Sequence, residues 1–326
     1  MAHKEILDLL AARPGEYLSG EAISQQLNLT RAAVWKQIQA LKAAGYEIEA
    51  QTKNGYRLKS KPLSLDQWAI ERELKTQVLG RPLYLFDEVP STNELAKEEI
   101  RHGGADGLVI ISKRQSAGKG RLQRAWQSPE GGIWMSVVIR PNLTLAEAAK
   151  LTLSSSIAVV EALREVTELN VGIKWPNDLV VDGQKLAGIL GEVVGEWTTI
   201  QTIVLGIGIN ANFARRELED SIAATTLQEL LGYETDLNQL VAKILEHLEG
   251  ELHSLELNGF HYLRKRWLER AVGIGEEVVI LREDGNFTGI LQGISASGAL
   301  VIQTEGQELE FNAGEVRLRA KEGSYF

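Results

Sequence analysis

Apolar and polar positions divide the chain into three stretches. In residues 1–62, Ile6, Leu9 and Leu10 share one helical face, Ile23 and Leu27 lie four apart, and Val34, Ile38 and Leu41 are spaced four and three. Ser19 and Thr30 stand at the N-cap positions of the second and third helices, and Gly45 ends the third. Two short strands, 46–50 and 56–58, then flank the turn dipeptide Asn54-Gly55. Helix, helix, turn, helix and two-stranded wing is the layout of a winged helix-turn-helix. With Val34, Ile38 and Leu41 facing inward, the third helix presents Arg31, Ala32, Trp35, Lys36 and Gln39 to the outside. Arg31 sits at the end that a recognition helix inserts into a major groove, and Lys53 and Arg57 on the wing are within reach of phosphates. Ser60, Pro62 and Ser64 read as a linker.

From 63 to 270 the pattern alternates between both periods. It predicts a helix over 66–79, a strand over 83–86 and a turn over 87–90. Ser91 and Glu94 have the spacing of a capping box that opens a helix running to Ile100. Buried strands follow at 108–112 and 133–139, then a long amphipathic helix over 145–166. Strands at 171–174, 179–181, 186–194 and 199–205 come next, the middle two turning at Asp182-Gly183. The charged connection 212–225 is expected to be a mobile loop. Hairpin-joined strands with helices collected elsewhere indicate an α+β layer, not a doubly wound parallel sheet. In 271–326, strands at 278–281, 288–294, 300–304 and 308–311 are separated by Asp284-Gly285, Ser297-Gly298 and Glu305-Gly306, as in a small β-barrel.

Composition narrows the class. The 326 residues include no cysteine, which removes disulfides and thiolate chemistry and fits a reducing cytoplasm. No apolar run approaches the ~18 residues of a membrane span. The first residues carry an acid and no long apolar segment, so no signal peptide is expected. Net charge is −9, against a protein that coats nucleic acid indiscriminately, yet residues 1–61 hold nine Lys/Arg and six Asp/Glu. The basic head on an acidic body fits a separate DNA-binding role.

The densest chemistry lies in 115–129, between two buried strands. It holds Gly118 and Gly120, the cations Lys119, Arg121 and Arg124, and Trp126. Glycines let a backbone approach a ligand closely, and cations hold phosphate or carboxylate. Such a loop can wrap an anionic, partly flat molecule such as an adenylate; an exposed basic hairpin would carry the same residues. No Gly-x-Gly-x-x-Gly joins a strand to a helix and no Gly-x4-Gly-Lys-Ser/Thr occurs, so neither dinucleotide nor P-loop binding is supported. Alone, Lys185 reads as a solvated lysine and Asp178 as a turn carboxylate.

Five segments taken together resemble one family. Ser91-Thr92-Asn93, Gln115 through Arg121, Lys174-Trp175-Pro176-Asn177-Asp178, Lys185 through Leu190, and Gly206 through Asn210 occur in the order found in biotin protein ligases. Behind a winged head, they resemble the bifunctional biotin ligases and biotin operon repressors of bacteria over essentially the whole chain. The resemblance implies three domains: a winged helix-turn-helix (1–62), a catalytic α+β domain with a mixed sheet of class II synthetase type (63–270), and a Src-homology-3-like small β-barrel (271–326). It implies that ATP, Mg²⁺ and biotin give biotinyl-5′-AMP, whose biotin passes to a lysine of a biotin carboxyl carrier protein. The adenylate would also serve as corepressor for a homodimer on operator DNA.

The resemblance also implies roles. Ser91, Thr92, Asn93 and Gln115 would hold the ureido end of biotin, with Gly188 and Leu190 lining the apolar slot and Lys119, Gly120, Arg121 and Lys185 completing that set. Gly118, Arg121, Trp126, Lys185 and Asn210 would face the adenylate. Lys119, Arg121 and Lys185 would supply catalytic positive charge, and Asp178 a proton acceptor; no protein-held metal is implied. The family often has arginine at the position of Lys119, and arginine or glycine at those of Leu122 and Gln123. A repressor lacking ligase activity and a lipoate-type ligase are the alternatives.

Overall fold

The computed structural model describes residues 2–141, 148–195, 202–219, 223–282, 285–312 and 317–320. Two compact units divide it at Arg72/Glu73.

The first unit opens with α1 (Ala2–Ala11), α2 (Gly20–Gln26) and α3 (Arg31–Ala43), followed by the antiparallel β1 (Glu47–Gln51) and β2 (Gly55–Ser60). Ser19 and Thr30 cap α2 and α3 by accepting from the N–H of Ala22 and Ala33. Ile6, Leu10, Ile23, Val34, Ile38, Leu41 and Ile48 form one buried cluster. The wing turns at Thr52–Asn54, one residue earlier than the dipeptide signal, with Gln51 opposite Gly55. A Cβ on Gly55 would lie 2.2 Å from the carbonyl oxygen of Leu18, so the wing docks only with glycine there. Helix α4 (Gln67–Glu73) joins this unit beyond Pro62: the Trp68 indole donates to Asp8, and the Tyr46 hydroxyl donates to Asp66.

Helix α4 ends six residues short of the expected Leu79. There the Glu249 carboxylate accepts from the N–H of Gln77, Val78 and Leu79, giving those donors a partner other than a further helical turn. The second unit is built on a mixed seven-stranded sheet of order β3-β4-β5-β9-β8-β7-β6. Its strands are β3 (Leu83–Val89), β4 (Val109–Gln115), β5 (Ile133–Ile139), β6 (Gly172–Lys174), β7 (Asp178–Val181), β8 (Gln184–Val194) and β9 (Thr202–Ile209). Only β3 and β4 pair in parallel; the other pairs are antiparallel. The expected turn over 87–90 is instead the end of β3, because β4 continues to Gln115 and pairs with it through Val89. Leu145 and residues 199–201 lie outside the described residues.

Helix α5 (Thr92–Arg101) packs on β4, β5 and β9, while α6 (Ala148–Thr167) packs on β8 and against α8 (Leu237–Leu268). The central strand β5 is buried at every position. The short α7 (Leu227–Leu231) follows the loop after β9, and the Arg215 side chain donates to the carbonyls of Leu218, Glu219 and Ala224. Those bonds pin the described part of a loop expected to be mobile. After α8 come β10 (Glu277–Arg282), β11 (Gly285–Ile294), β12 (Leu300–Gln303), β13 (Glu308–Phe311) and β14 (Arg317–Ala320). They form an antiparallel sheet of order β13-β12-β11-β10-β14, in which the last strand returns to pair with the first. This C-terminal fold and the winged head agree with the expected α+β architecture; β14, although its Arg-Leu-Arg-Ala stretch alternates, is not among the expected strands.

Candidate functional site

Strand register places residues from distant parts of the chain in single cross-strand rows. Trp134 pairs with Gly208, Gly208 with Gly188, Gly188 with Asp178, and Asp178 with Lys174. Cross-strand partners share a face. One row thus runs from an aromatic, over two glycines, to an acid and a lysine. The next row is Ser136, Gly206 and Leu190. Above these rows lies a cavity of about 390 Å³ whose lining includes residues of both rows.

The glycines are there because something lies over them. A Cβ on Gly208 or Gly188 would come within 2.8 or 2.9 Å of the Trp126 ring. The same ring meets Trp134 edge-on and carries the Lys185 ammonium 4.8 Å from its centroid. Its indole N–H is buried and finds no acceptor among the described residues, leaving a donor for a ligand. Gly206 leaves room for Asn93, whose Oδ1 would be 2.5 Å from a Cβ there.

Helix α5 brings its N-terminus to the second row. The Ser91 hydroxyl caps it at Glu94 N–H. Glu94 does not bond back to Ser91; its carboxylate pairs with Lys97 and Lys119. Gln115 Oε1 accepts from the Thr92 N–H (2.8 Å), and Gln115 Nε2 donates to Ser128 (2.9 Å). These two bonds fix the orientation of the Gln115 amide. Ser136 donates to Asn93 Oδ1, and Asn93 Nδ2 donates to Glu192. Ser91, Thr92 and Asn93 are all buried, so this polar corner is held rigid before any ligand arrives.

The glycine loop forms the rim. Trp126 N–H donates to Gly118 O, and a Cβ on Gly118 would lie 2.4 Å from Trp126 O. Leu122 and Gln123, both at positive φ, make the exposed tip. Arg121 turns inward and donates to Asn177 Oδ1 at 3.3 Å; Asn177 is itself held by the Ile189 carbonyl. Burial lowers the Arg121 guanidinium pKa, with the Asp178 charge acting in the opposite direction. Lys119 instead pairs with Glu94 at 3.1 Å. Lys185 Nζ meets the Asp178 carboxylate at 2.5 Å. Asn210 spends its amide on the carbonyls of Thr225 and Lys185, which braces the loop after β9.

Three comparisons bear on this arrangement. Residues 85–210 match the model of the biotin/lipoate A/B protein ligase family, 3–57 that of a helix-turn-helix domain, and 273–319 that of the biotin protein ligase C-terminal domain. The bifunctional ligase/repressor BirA of Bacillus subtilis is 35% identical over 92% of this chain and 94% of its own. Its counterpart from Escherichia coli is 33% identical over 94% and 95%. This chain belongs to the bifunctional biotin ligase/repressor family. A solved biotin protein ligase from Aquifex aeolicus, in complex with biotin and ATP, aligns with a TM-score of 0.66 and 34% identity, covering 73% of this chain and 99% of that one.

The family motifs therefore converge. Ser91, Thr92, Asn93, Gln115, Lys119, Gly120, Arg121, Trp126, Asp178, Lys185, Gly188, Leu190 and Asn210 all line the one cavity; Gly118 supports it from behind. Sequence reasoning missed Ser128 and Ser136, which hold Gln115 and Asn93, and Arg319 of β14, which lines the cavity from the C-terminal sheet. It also passed over Lys174, which is 2% exposed and lines the cavity. The turn Trp175-Pro176-Asn177 already placed Lys174 beside Asp178; what the sequence did not show was that this hairpin faces the glycine floor.

In the first unit, Arg31, Ala32, Trp35, Lys36 and Lys53 are exposed, Trp35 at 58%. Arg31 pairs with Glu21. Arg57 differs from them. It is half-buried, stacks over Tyr17 at 4.6 Å, pairs with Glu49 and donates to Gly15 O.

Proposed function

We propose that this chain is an ATP-dependent biotin protein ligase that also represses transcription. Its family membership and its cationic cavity over a glycine-floored sheet support the first activity; the winged head, with an exposed recognition-type helix, supports the second. The observation that carries the ligase reading is the convergence of Arg121, Lys185 and the fixed Thr92–Gln115 pair on one cavity.

Biotin's carboxylate is itself the nucleophile in the first step. It attacks the α-phosphorus of ATP, forming the mixed anhydride and releasing diphosphate. What it needs is placement and relief from anion–anion repulsion. Thr92, Asn93 and Gln115 would engage the ureido ring, whose two donors and one acceptor match hydroxyl and amide groups. Gly188 and Leu190 would line the apolar slot, and Arg121 and Lys185 would face the reacting oxygens. Mg²⁺ would enter on the phosphates of ATP as part of that substrate. Asp178 is the one acidic side chain among the described lining residues, and Lys185 already engages it.

In the second step a lysine of a biotin carrier protein displaces AMP. Trp126 and Arg121 would shield the anhydride from water until then. Repression would use the same adenylate as corepressor, with a homodimer spanning two half-sites of operator DNA through Arg31, Ala32, Trp35 and Lys36, and with Lys53 on phosphate. We place the work in the cytoplasm, with ATP and carrier; no helix among the described residues is long and apolar enough to cross a membrane.

The deciding assay gives purified protein ATP, Mg²⁺, a biotin carrier domain and either biotin or lipoate. Biotin on the carrier lysine is the expected result. Label from lipoate alone would move the chain to lipoate chemistry, and adenylate-dependent DNA binding without any carrier label would leave a sensor only.

A further inference from the structure

We propose that Lys174 accepts the proton from the carrier lysine during biotin transfer, an inference that rests on the ligase reading above. The geometry is that of a general base built into the cavity wall. Lys174 ends the row Trp134–Gly208–Gly188–Asp178–Lys174, so its side chain shares a face with the glycine floor. It lines the cavity yet is only 2% exposed. Its backbone is clamped on both sides. Ile173, just before it, donates to Arg270 O and accepts from Val272 N–H, and the Trp175 indole, just after it, donates to Gly298 O.

The charged groups facing Lys174 come from three strands: Arg319 of β14, Asp178 of β7 and Lys185 of β8. Two are cations. The one acid, Asp178, is itself paired with Lys185 at 2.5 Å and acts on Lys174 in the opposite direction, favouring its ammonium. Burial pushes the Lys174 amine down from 10.5 to about 7, and the nearby Arg319 charge adds to the fall. A neutral amine is therefore present near neutral pH at the edge of the cavity.

The second step needs such a group. A carrier lysine arrives largely as an ammonium ion and must lose one proton before its nitrogen pair can attack. With Lys174 neutral, that proton passes to the Lys174 nitrogen. The carrier nitrogen then bonds to the biotinyl carbonyl carbon, and the bond from that carbon to the phosphate oxygen breaks. AMP leaves with the electron pair, and the second proton shed by the new amide nitrogen goes to the departing phosphate oxygen. A base works best when its pKa lies near the working pH. Asp178 is already engaged by Lys185, and a carboxyl group is intrinsically a weaker base than an amine. Lys174 is the better acceptor on the same row.

The test separates this step from the first by loading each protein with biotinyl-5′-AMP directly. Transfer is then followed in single turnovers to two acceptors, a biotin carrier domain and hydroxylamine. Hydroxylamine is largely unprotonated at neutral pH and needs no base. Wild-type transfer to the carrier should rise with pH through about 7 and then level. Lys174→Met and Lys174→Arg should each slow it roughly 100-fold and lose that inflection, while hydroxylamine reacts at the wild-type rate. Lys174→Arg keeps the charge, and adenylate binding by both variants reports an intact cavity. If Lys174→Arg transferred to the carrier at the wild-type rate with an unchanged pH profile, the amine would be acting as a fixed cation and the proposal would fail. Equal slowing with both acceptors would defeat it too. A wild-type protein that makes no adenylate from ATP and biotin would instead remove the ligase reading itself, one stage earlier.

Discussion

The cations of the first unit and those of the cavity are arranged in opposite ways. Arg31 and Lys36 project from one helix and Lys53 from one turn, each exposed to water. Arg121, Lys174, Lys185 and Arg319 come from a loop and three strands, and line one cavity. Charges in water act nearly independently, while charges in a desolvated cavity change one another's ionisation and leave neighbours uncompensated when removed. Substitutions in the cavity should therefore cost more, and cost it in a single step of chemistry.

The largest expected effect is that of Lys185→Ala. It removes a donor from the reacting junction and takes the ammonium away from Asp178. We expect adenylate formation to fall by about 10²–10³, on the order of 3–4 kcal/mol in the transition state. Biotin affinity should change by less than about tenfold. Diphosphate release and calorimetric titration with biotin measure the two separately. A matched fall in both would mean that Lys185 is a binding group and not a charge stabiliser.

Next is the glycine floor. Gly208→Ala would put a methyl 2.8 Å from the Trp126 ring, which must then move or tilt. Overpacking of this kind costs about 1–3 kcal/mol, so biotin should bind roughly ten- to a hundredfold more weakly, with a lower melting temperature. Gly120→Ala is the control: its Cβ would meet nothing closer than 3.7 Å. If both substitutions weakened binding equally, the loss would reflect general loosening of the loop, not contact between ring and floor.

The same contrast explains what could be read from the chain before any coordinates. The first unit was legible because one period on one helix decides which residues are inside; Val34, Ile38 and Leu41 are buried and Arg31, Trp35 and Lys36 are not. The cavity is formed by register between strands that are not consecutive, with β9 between β5 and β8. Nothing in local periodicity pairs Gly188 with Gly208, or brings Arg319 from the last described strand to the same space. The family motifs supplied the convergence that spacing could not. They also give Lys119 to the reactants; here it lines the cavity while its ammonium pairs with Glu94 at the rim. The early end of α4 was illegible for a similar reason: the Glu249 carboxylate that accepts from Gln77, Val78 and Leu79 lies on α8, far along the chain.

Smaller effects are expected on the first unit, and they should divide by element. Arg31→Ala should cost about 1–3 kcal/mol on a specific operator and relax discrimination at one base pair. Lys53→Ala should weaken binding to all DNA alike and reduce the salt slope by about one. Gel shifts at several salt concentrations, on operator and unrelated duplexes, distinguish these outcomes. Equal losses on both duplexes for Arg31→Ala would make it a phosphate contact.

The smallest effect concerns Arg57, which was expected to reach phosphate from the wing. Its guanidinium is already occupied by Glu49, Tyr17 and the Gly15 carbonyl. Hydrogen bonds from Tyr17 and then Arg57 hold the Glu49 carboxyl at about 2, below its ordinary 4.5. A carboxyl whose folded pKa is depressed stabilises the fold above its unfolded pKa, and that stabilisation fades as the pH falls through the folded value. The wing should therefore be fully held above pH 4.5 and loosen only as the pH drops toward about 2. Carboxyl NMR on the full chain would follow Glu49 directly, and Tyr17→Phe should move its titration back toward 4.5. Arg57→Ala should do the same while leaving the salt slope of DNA binding unchanged. A Glu49 that titrates near 4.5 in the wild type, together with a reduced salt slope in Arg57→Ala, would show that the guanidinium leaves Glu49 and serves DNA after all. The wing would then resemble Lys53 in its chemistry, and the separation between structural and DNA-facing cations in the first unit would have to be redrawn.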